Sequence, residues 1–166
     1  MAFIKEAIIT IFAEYAFFIL FLHILGAFVW VGGMIVIISA VYPSLKHIED
    51  KKTQIARTLE VMQRFFMIIL PFVVILIITG STMTIGMGFK KTPLYMMIHL
   101  KEAIWIVMAF SYLLMFIRRN KAERLFVSGD LVGARELLSP ISNLILPLNI
   151  ILGVVALAVG ITLRGF

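Results

Sequence analysis

Residues 15–45, YAFFILFLHILGAFVWVGGMIVIISAVYPSL, lie between Glu14 and Lys46 and contain no charged side chain. An α-helix needs ~20 apolar residues to cross the hydrocarbon core of a bilayer, and this run of 31 exceeds that. Two more uncharged runs follow, 25 residues between Arg64 and Lys90 and 27 between Glu136 and Arg164. A fourth apolar stretch, Leu94 to Ile117, is interrupted only by Lys101 and Glu102. These runs predict an all-α, integral membrane four-helix bundle, one domain over 1–166, with helices at about 15–42, 65–88, 94–117 and 140–163.

Composition agrees. The chain is 62% hydrophobic and 14% charged, with a mean hydropathy of +1.09. Soluble domains average roughly 45–50% apolar and about 25% charged residues. With no cysteine, a disulfide scaffold is excluded. The runs lack period-two alternation, and a four-strand barrel would be too small to span a membrane. The first run is too long for a signal-peptide core and is followed by no small-x-small cleavage site, so it reads as a retained helix.

Orientation follows from Lys and Arg. Ten of them lie in the segments after the first and third helices: Lys46, Lys51, Lys52, Arg57, Arg64, Arg118, Arg119, Lys121, Arg124 and Arg135. Lys5, Lys90, Lys91 and Arg164 lie on the other face. Both long loops are therefore expected in the cytoplasm and both termini on the outer, periplasmic side of a bacterial inner membrane. The net charge of +6 is then a topology and headgroup signal, and no nucleic acid is expected as partner. Segments 45–63 and 120–138 are helix-compatible and should extend the spans into the cytoplasm. The short link from Gly88 to Pro93 predicts a tight hairpin on the outer side.

Polar side chains inside a membrane are costly and mark function. Here they are His23, Trp30, His99, Lys101, Glu102, Trp105, Asn143 and Asn149. Counted from Glu14, His23 lies roughly 13 Å into the first helix; counted from Pro93, His99 lies roughly 9 Å into the third. The two imidazoles therefore share a depth, and two histidines facing across a bundle suit the axial positions of one b-type haem iron. Gly26, Trp30 and Gly33 follow His23 at i+3, i+7 and i+10, so they lie near its helical face. There, glycine would let a flat macrocycle approach, or would simply serve close helix packing. Thr79, Gly80, Ser81, Thr82, Thr84, Gly86 and Gly88 bring small residues to the same outer half.

Glu102 shares the face of His99 and could orient it or carry protons, whereas Lys101 points away. Lys101 either snorkels to headgroups or pairs with a propionate or an anionic substrate. His47 is expected to be solvated, Arg64 to anchor the interface, and Asn143 and Asn149 to make packing hydrogen bonds. Met83, Met87, Met96 and Met97 near His99 offer soft ligands for Cu(I), against the ordinary use of Met as apolar filler.

The run His23-Ile-Leu-Gly-Ala-Phe-Val-Trp-Val-Gly-Gly-Met34 resembles the first helix of the copper resistance D family and of HemJ-type protoporphyrinogen oxidases. Arg64-Phe65 with Thr79-Gly80 is similar to the second helix of the former, as is Thr92-Pro93 to the lead-in of its third. Met97-Ile98-His99-Leu100-Lys101-Glu102 is similar to the H-x-K run of the HemJ third helix. The resemblance spans roughly residues 16–163. It implies haem b on the HemJ side, at His23, His99 and Lys101, and copper handling on the other. HemJ-type chains carry Tyr-His late in the third helix, whereas here Tyr112 is followed by Leu113.

The expectation is a membrane haem protein, ligated by His23 and His99, with Gly26, Trp30 and Lys101 around the cofactor. It would transfer electrons or oxidise a quinol, with enzymatic activity left open. The alternatives are copper transport or tolerance through the Met/His cluster, HemJ-like protoporphyrinogen oxidation, and a structural assembly subunit. Partners would be the lipid bilayer, a quinol or membrane redox partner, and a second copy of the chain.

Overall fold

A computed structural model describes residues 2–87 and 95–163, all of it helical apart from short turns. The elements are α1 (Ala2–Val36), α2 (Tyr42–Lys46), α3 (Lys51–Gly86), α4 (Tyr95–Val127), α5 (Leu131–Pro140) and α6 (Leu146–Thr162). Four helical stretches are long and apolar enough to cross a membrane: Phe3–Lys46, Lys51–Gly86, Tyr95–Val127 and Leu131–Thr162. They outrun the apolar runs because the charged flanks continue the helices. Lys5, Glu6 and Glu14 lie on α1, with a backbone kink at Tyr15 (φ −114°, ψ 22°). Gly88, Lys90, Lys91, Thr92, Pro93 and Arg164, on which the hairpin and lead-in readings rest, are outside the described residues.

Capping marks where the helices restart. Asp50 accepts hydrogen bonds from the Thr53 amide (2.9 Å) and hydroxyl (2.5 Å), which satisfies an orphan donor at the start of α3. Asp130 does the same for the Gly133 amide at the start of α5 (2.8 Å). Gly129 makes that turn with φ +89°, a conformation glycine adopts at no steric cost.

Prolines shape the other two junctions alike. Single π-helical turns, Ile37–Val41 and Ile141–Ile145, precede Tyr42-Pro43 and Leu146-Pro147. Proline has no amide N–H to donate to its i−4 carbonyl. At each site the residue before the proline donates five residues back instead, Tyr42 to Ile37 and Leu146 to Ile141. The wider turn keeps α1 continuous with α2, and α5 with α6.

The four spans form a ring in which α1 packs on α3, α3 on α4, α4 on α6 and α6 on α1. Neighbours run antiparallel. Gly26 of α1 faces Leu76 of α3 while Gly33 faces Phe65, so the two helices pass in opposite senses. Gly153 of α6 meets both Val31 and Met108.

The basic end of the ring is filled. Trp30, Met34, Phe66, Ile69, Met115, Ile141, Leu146 and Asn149 are fully buried there and at mid-depth. Tyr112 ties the layer together. Its ring meets Trp30 and Phe66 edge-on, with centroids 6.3 and 5.3 Å away, and its hydroxyl donates to the Phe66 carbonyl at 2.7 Å. Closer to the basic end, Arg119 is only 4% exposed. It donates to the Leu59 carbonyl, to Gln63 (2.8 Å), to Asn120 (3.1 Å) and to Glu123 (2.6 Å), clamping α4 to α3. Membrane helices gain little from apolar burial against each other, so such polar ties and close packing hold the bundle.

Candidate functional site

At the other end the ring is not filled. A cavity of about 300 Å³ lies between all four spans, at the low end of the range for small-ligand sites. Its wall is mostly apolar, with His23 and Trp30 from α1, Ser81 and Thr84 from α3, Lys101, Glu102 and Trp105 from α4, and Gly160 from α6. Gly80 and Ser81 of α3 and Gly160 of α6 leave room there, whereas the basic half carries Phe66, Tyr112 and Met115.

His23 is held in a defined way. Its Nδ1 lies 2.8 Å from the Thr79 hydroxyl oxygen. That hydroxyl has one proton, and the Ile75 carbonyl 2.6 Å away accepts it. Thr79 must therefore accept from His23, so Nδ1 carries a proton, and in the neutral imidazole Nε2 keeps the lone pair. Gly80 completes the cradle, since a Cβ there would sit 3.3 Å from Cε1 of the ring. Helix α3 thus fixes both the tautomer and the plane of the imidazole. The same arrangement orients metal-ligating histidines, whose second nitrogen is held by a hydrogen bond. Thr79-Gly80 stood in the sequence as part of a small-residue segment. Its role as the support of His23 shows only once α1 and α3 are paired in register.

Helix α4 contributes Lys101, Glu102 and Trp105 to the wall. Lys101 Nζ lies where a side chain on Gly160 would be, 3.0 Å from that virtual Cβ, and no carboxylate among the described residues lies within 4 Å of it. The indole N–H groups of Trp30 and Trp105 are buried without an acceptor. Each such orphan costs about 1–3 kcal/mol.

His99 is elsewhere. Its side chain is half exposed, with Nδ1 3.2 Å from Glu102 and its ring edge-on to Tyr95. It is not part of the cavity wall, so the structure does not bring His23 and His99 together across a common space. The i, i+3 spacing does pair His99 with Glu102. Gly26 faces Leu76 and the Phe72 carbonyl of α3 and serves helix packing. Of the four methionines, Met83 and Met87 line the cavity, Met87 at its exposed edge, whereas Met96 and Met97 are exposed outside it.

The remaining candidates bond locally. His47 hydrogen-bonds the Pro43 carbonyl at an exposed position, Asn143 donates to Ser139, and Asn149 donates to Ile145. Asn149 is fully buried and its Oδ1 has no partner. Among the described residues no three of His, Cys, Asp and Glu gather into a metal-ion cluster. Compared with known proteins, the chain matches no family model, no curated protein and no solved structure, so the chemistry rests on this cavity alone.

Proposed function

We propose that the protein is a membrane-embedded b-type haem protein that transfers electrons or oxidises a quinol-like reductant, and that His23 would hold the haem iron through Nε2. The observation that carries this reading is the Thr79 hydrogen bond, which leaves the His23 Nε2 lone pair free at a mostly apolar cavity. The donor chemistry of the wall suits the group, part of which would extend beyond the 300 Å³ cavity through its open side. An imidazole of fixed tautomer is a haem ligand, and Lys101 supplies a cation for a propionate. Bound there, haem would supply one-electron exchange. The chain would supply orientation at His23, charge balance at Lys101 and exclusion of water by the apolar wall. His99 joins as the second ligand only by leaving Glu102 and turning towards the cavity. The Lys/Arg asymmetry supports both termini on the outer face of a bacterial inner membrane.

Absorption spectra of the detergent-purified protein test the reading. A haem b spectrum abolished in His23→Ala supports it, and a colourless wild type expressed with ample haem overturns it. A low-spin spectrum that becomes high-spin in His99→Ala would assign His99 as the second ligand. A high-spin wild type indifferent to that change would leave His23 as the sole protein ligand.

One observation favours a second reading. Met83 and Met87 share the cavity with His23, and two thioethers with an imidazole form a soft site for Cu(I). Metal analysis of the same preparation, beside Met83→Leu/Met87→Leu, decides between copper handling and haem. The HemJ-like alternative has less to stand on, because Tyr112 is tied to Phe66 in the packed layer, away from the cavity.

A further inference from the structure

A second concavity lies at the basic end, far from His23. It is a groove of about 640 Å³ between the α1–α2 junction and the first turns of α3. Its floor includes Val41, Leu45 and Ile48, and its rim is Arg57, Glu60 and Arg64. The two arginines are seven residues apart, so they stand on one face of α3 about 10 Å from each other along the axis. Glu60 lies between them and takes one N–H from each, at 2.8 and 2.6 Å. Each guanidinium has five N–H donors, so most of each fork stays free. Both side chains are open, Arg57 62% and Arg64 75% exposed. Two cations against one anion leave the rim net positive. From Lys46 to Arg64 the chain carries five basic and three acidic residues.

Position then selects the ligand. Arg64 is the last charge before the apolar run of α3, and the groove floor continues the apolar end of α1. The groove therefore straddles the boundary between headgroups and hydrocarbon. A free phosphate would engage the forks and leave the apolar floor wet. We infer that the groove binds an anionic phospholipid of the adjoining leaflet, its phosphate accepting from Arg57 and Arg64 and its chain lying along Val41 and Leu45. Basic pockets between spans on the cytoplasmic side recognise acidic headgroups in this way.

Retention of phosphatidylglycerol against phosphatidylcholine by the full chain, in mixed micelles, tests the inference. One uncompensated cation near the surface is worth about fivefold in preference. Wild type should prefer phosphatidylglycerol by about fivefold, and Glu60→Gln should raise this to about 25-fold. Arg57→Gln/Arg64→Gln should bring it to parity or below. All the altered side chains are exposed, and circular dichroism confirms that each variant remains helical. Equal retention of the two lipids by wild type overturns the inference, as does a preference that survives the double substitution. Protection against heat by inorganic phosphate alone, equal to that by the lipid, overturns it in favour of a simple anion site.

Discussion

The two halves of this bundle are built from the same four helices and differ in what stands on the axis. At the basic half the axis carries Phe66, Tyr112, Met115 and Ile141, tied by the Tyr112 hydroxyl and the Arg119 clamp. At the other half Gly80, Ser81 and Gly160 stand among His23, Lys101 and Trp105, and the space stays open. Stability in lipid comes from close packing and polar ties, which the first half has. A binding site needs room and polar groups whose bonds are not already made, which the second half has. The comparison assigns the costs and gains of substitution to different ends of one molecule.

The largest expected effect breaks the packed half. Arg119→Met removes the donors to the Leu59 carbonyl and Gln63 and should cost about 3 kcal/mol of stability, read by denaturant unfolding in detergent. Cofactor bound per folded molecule should not change, because the clamp is remote from His23.

Gly153→Leu probes the boundary between the halves. A Cβ at Gly153 would sit 2.5 Å from Val31, so a leucine must push α6 from α1 at the cavity floor. About 2 kcal/mol of destabilisation is expected, together with weaker ligand retention. A loss of stability with full retention would show that the cavity does not depend on this contact.

Thr79→Val works inside the open half. It keeps the shape and removes the acceptor of the His23 Nδ1–H. Ligand affinity should fall at least about tenfold while stability changes by only about 1 kcal/mol. Thr79→Ser should restore most of the affinity, since its hydroxyl can make both bonds.

The smallest effect concerns the start of α3. Hydrogen bonds from the Thr53 hydroxyl and amide hold the Asp50 carboxyl below its ordinary pKa. A depressed folded pKa means the cap stabilises the helix above the unfolded carboxylate pKa and is lost as pH falls through the lower folded value. The Thr53 amide resonance should therefore hold its bonded position to a pH below the usual carboxylate midpoint. In Asp50→Ala that acid transition should vanish.

These contrasts also explain what could be read from the sequence. Three of the four spans were legible because a charge-free run of more than ~20 residues is a local property, and the remaining one, the third in order, because only Lys101 and Glu102 interrupt its apolar stretch. The helical extensions at 45–63 and 120–138 were legible from their helix-compatible composition, with breaks before Lys51 and Leu131, and the place of His23 among small residues was legible from spacing. Depth could be counted along each helix, since it depends only on rise per residue. Rotation about the axis could not. A span is apolar on every side, because lipid and core are equally apolar, so hydrophobicity does not say which face looks inward. His99 shows the consequence, counted to the depth of His23 along the sequence but with its side chain on the flank beside Glu102. Lys101 shows the converse, a charge that could have snorkelled outward and instead lines the cavity. Arg119 counted in the sequence only as one more basic residue of a loop. The paired π-turns had their signal in Pro43 and Pro147, but their form depends on where the displaced amides find carbonyls.

The most direct test of the open half is a reduced-minus-oxidised difference spectrum of wild type beside His23→Ala and Thr79→Val, each purified from cells supplied with haem. The account predicts a b-type spectrum in wild type, its absence in His23→Ala, and a weakened spectrum in Thr79→Val although that protein remains folded. A colourless wild type, or an undiminished spectrum in His23→Ala, would contradict it.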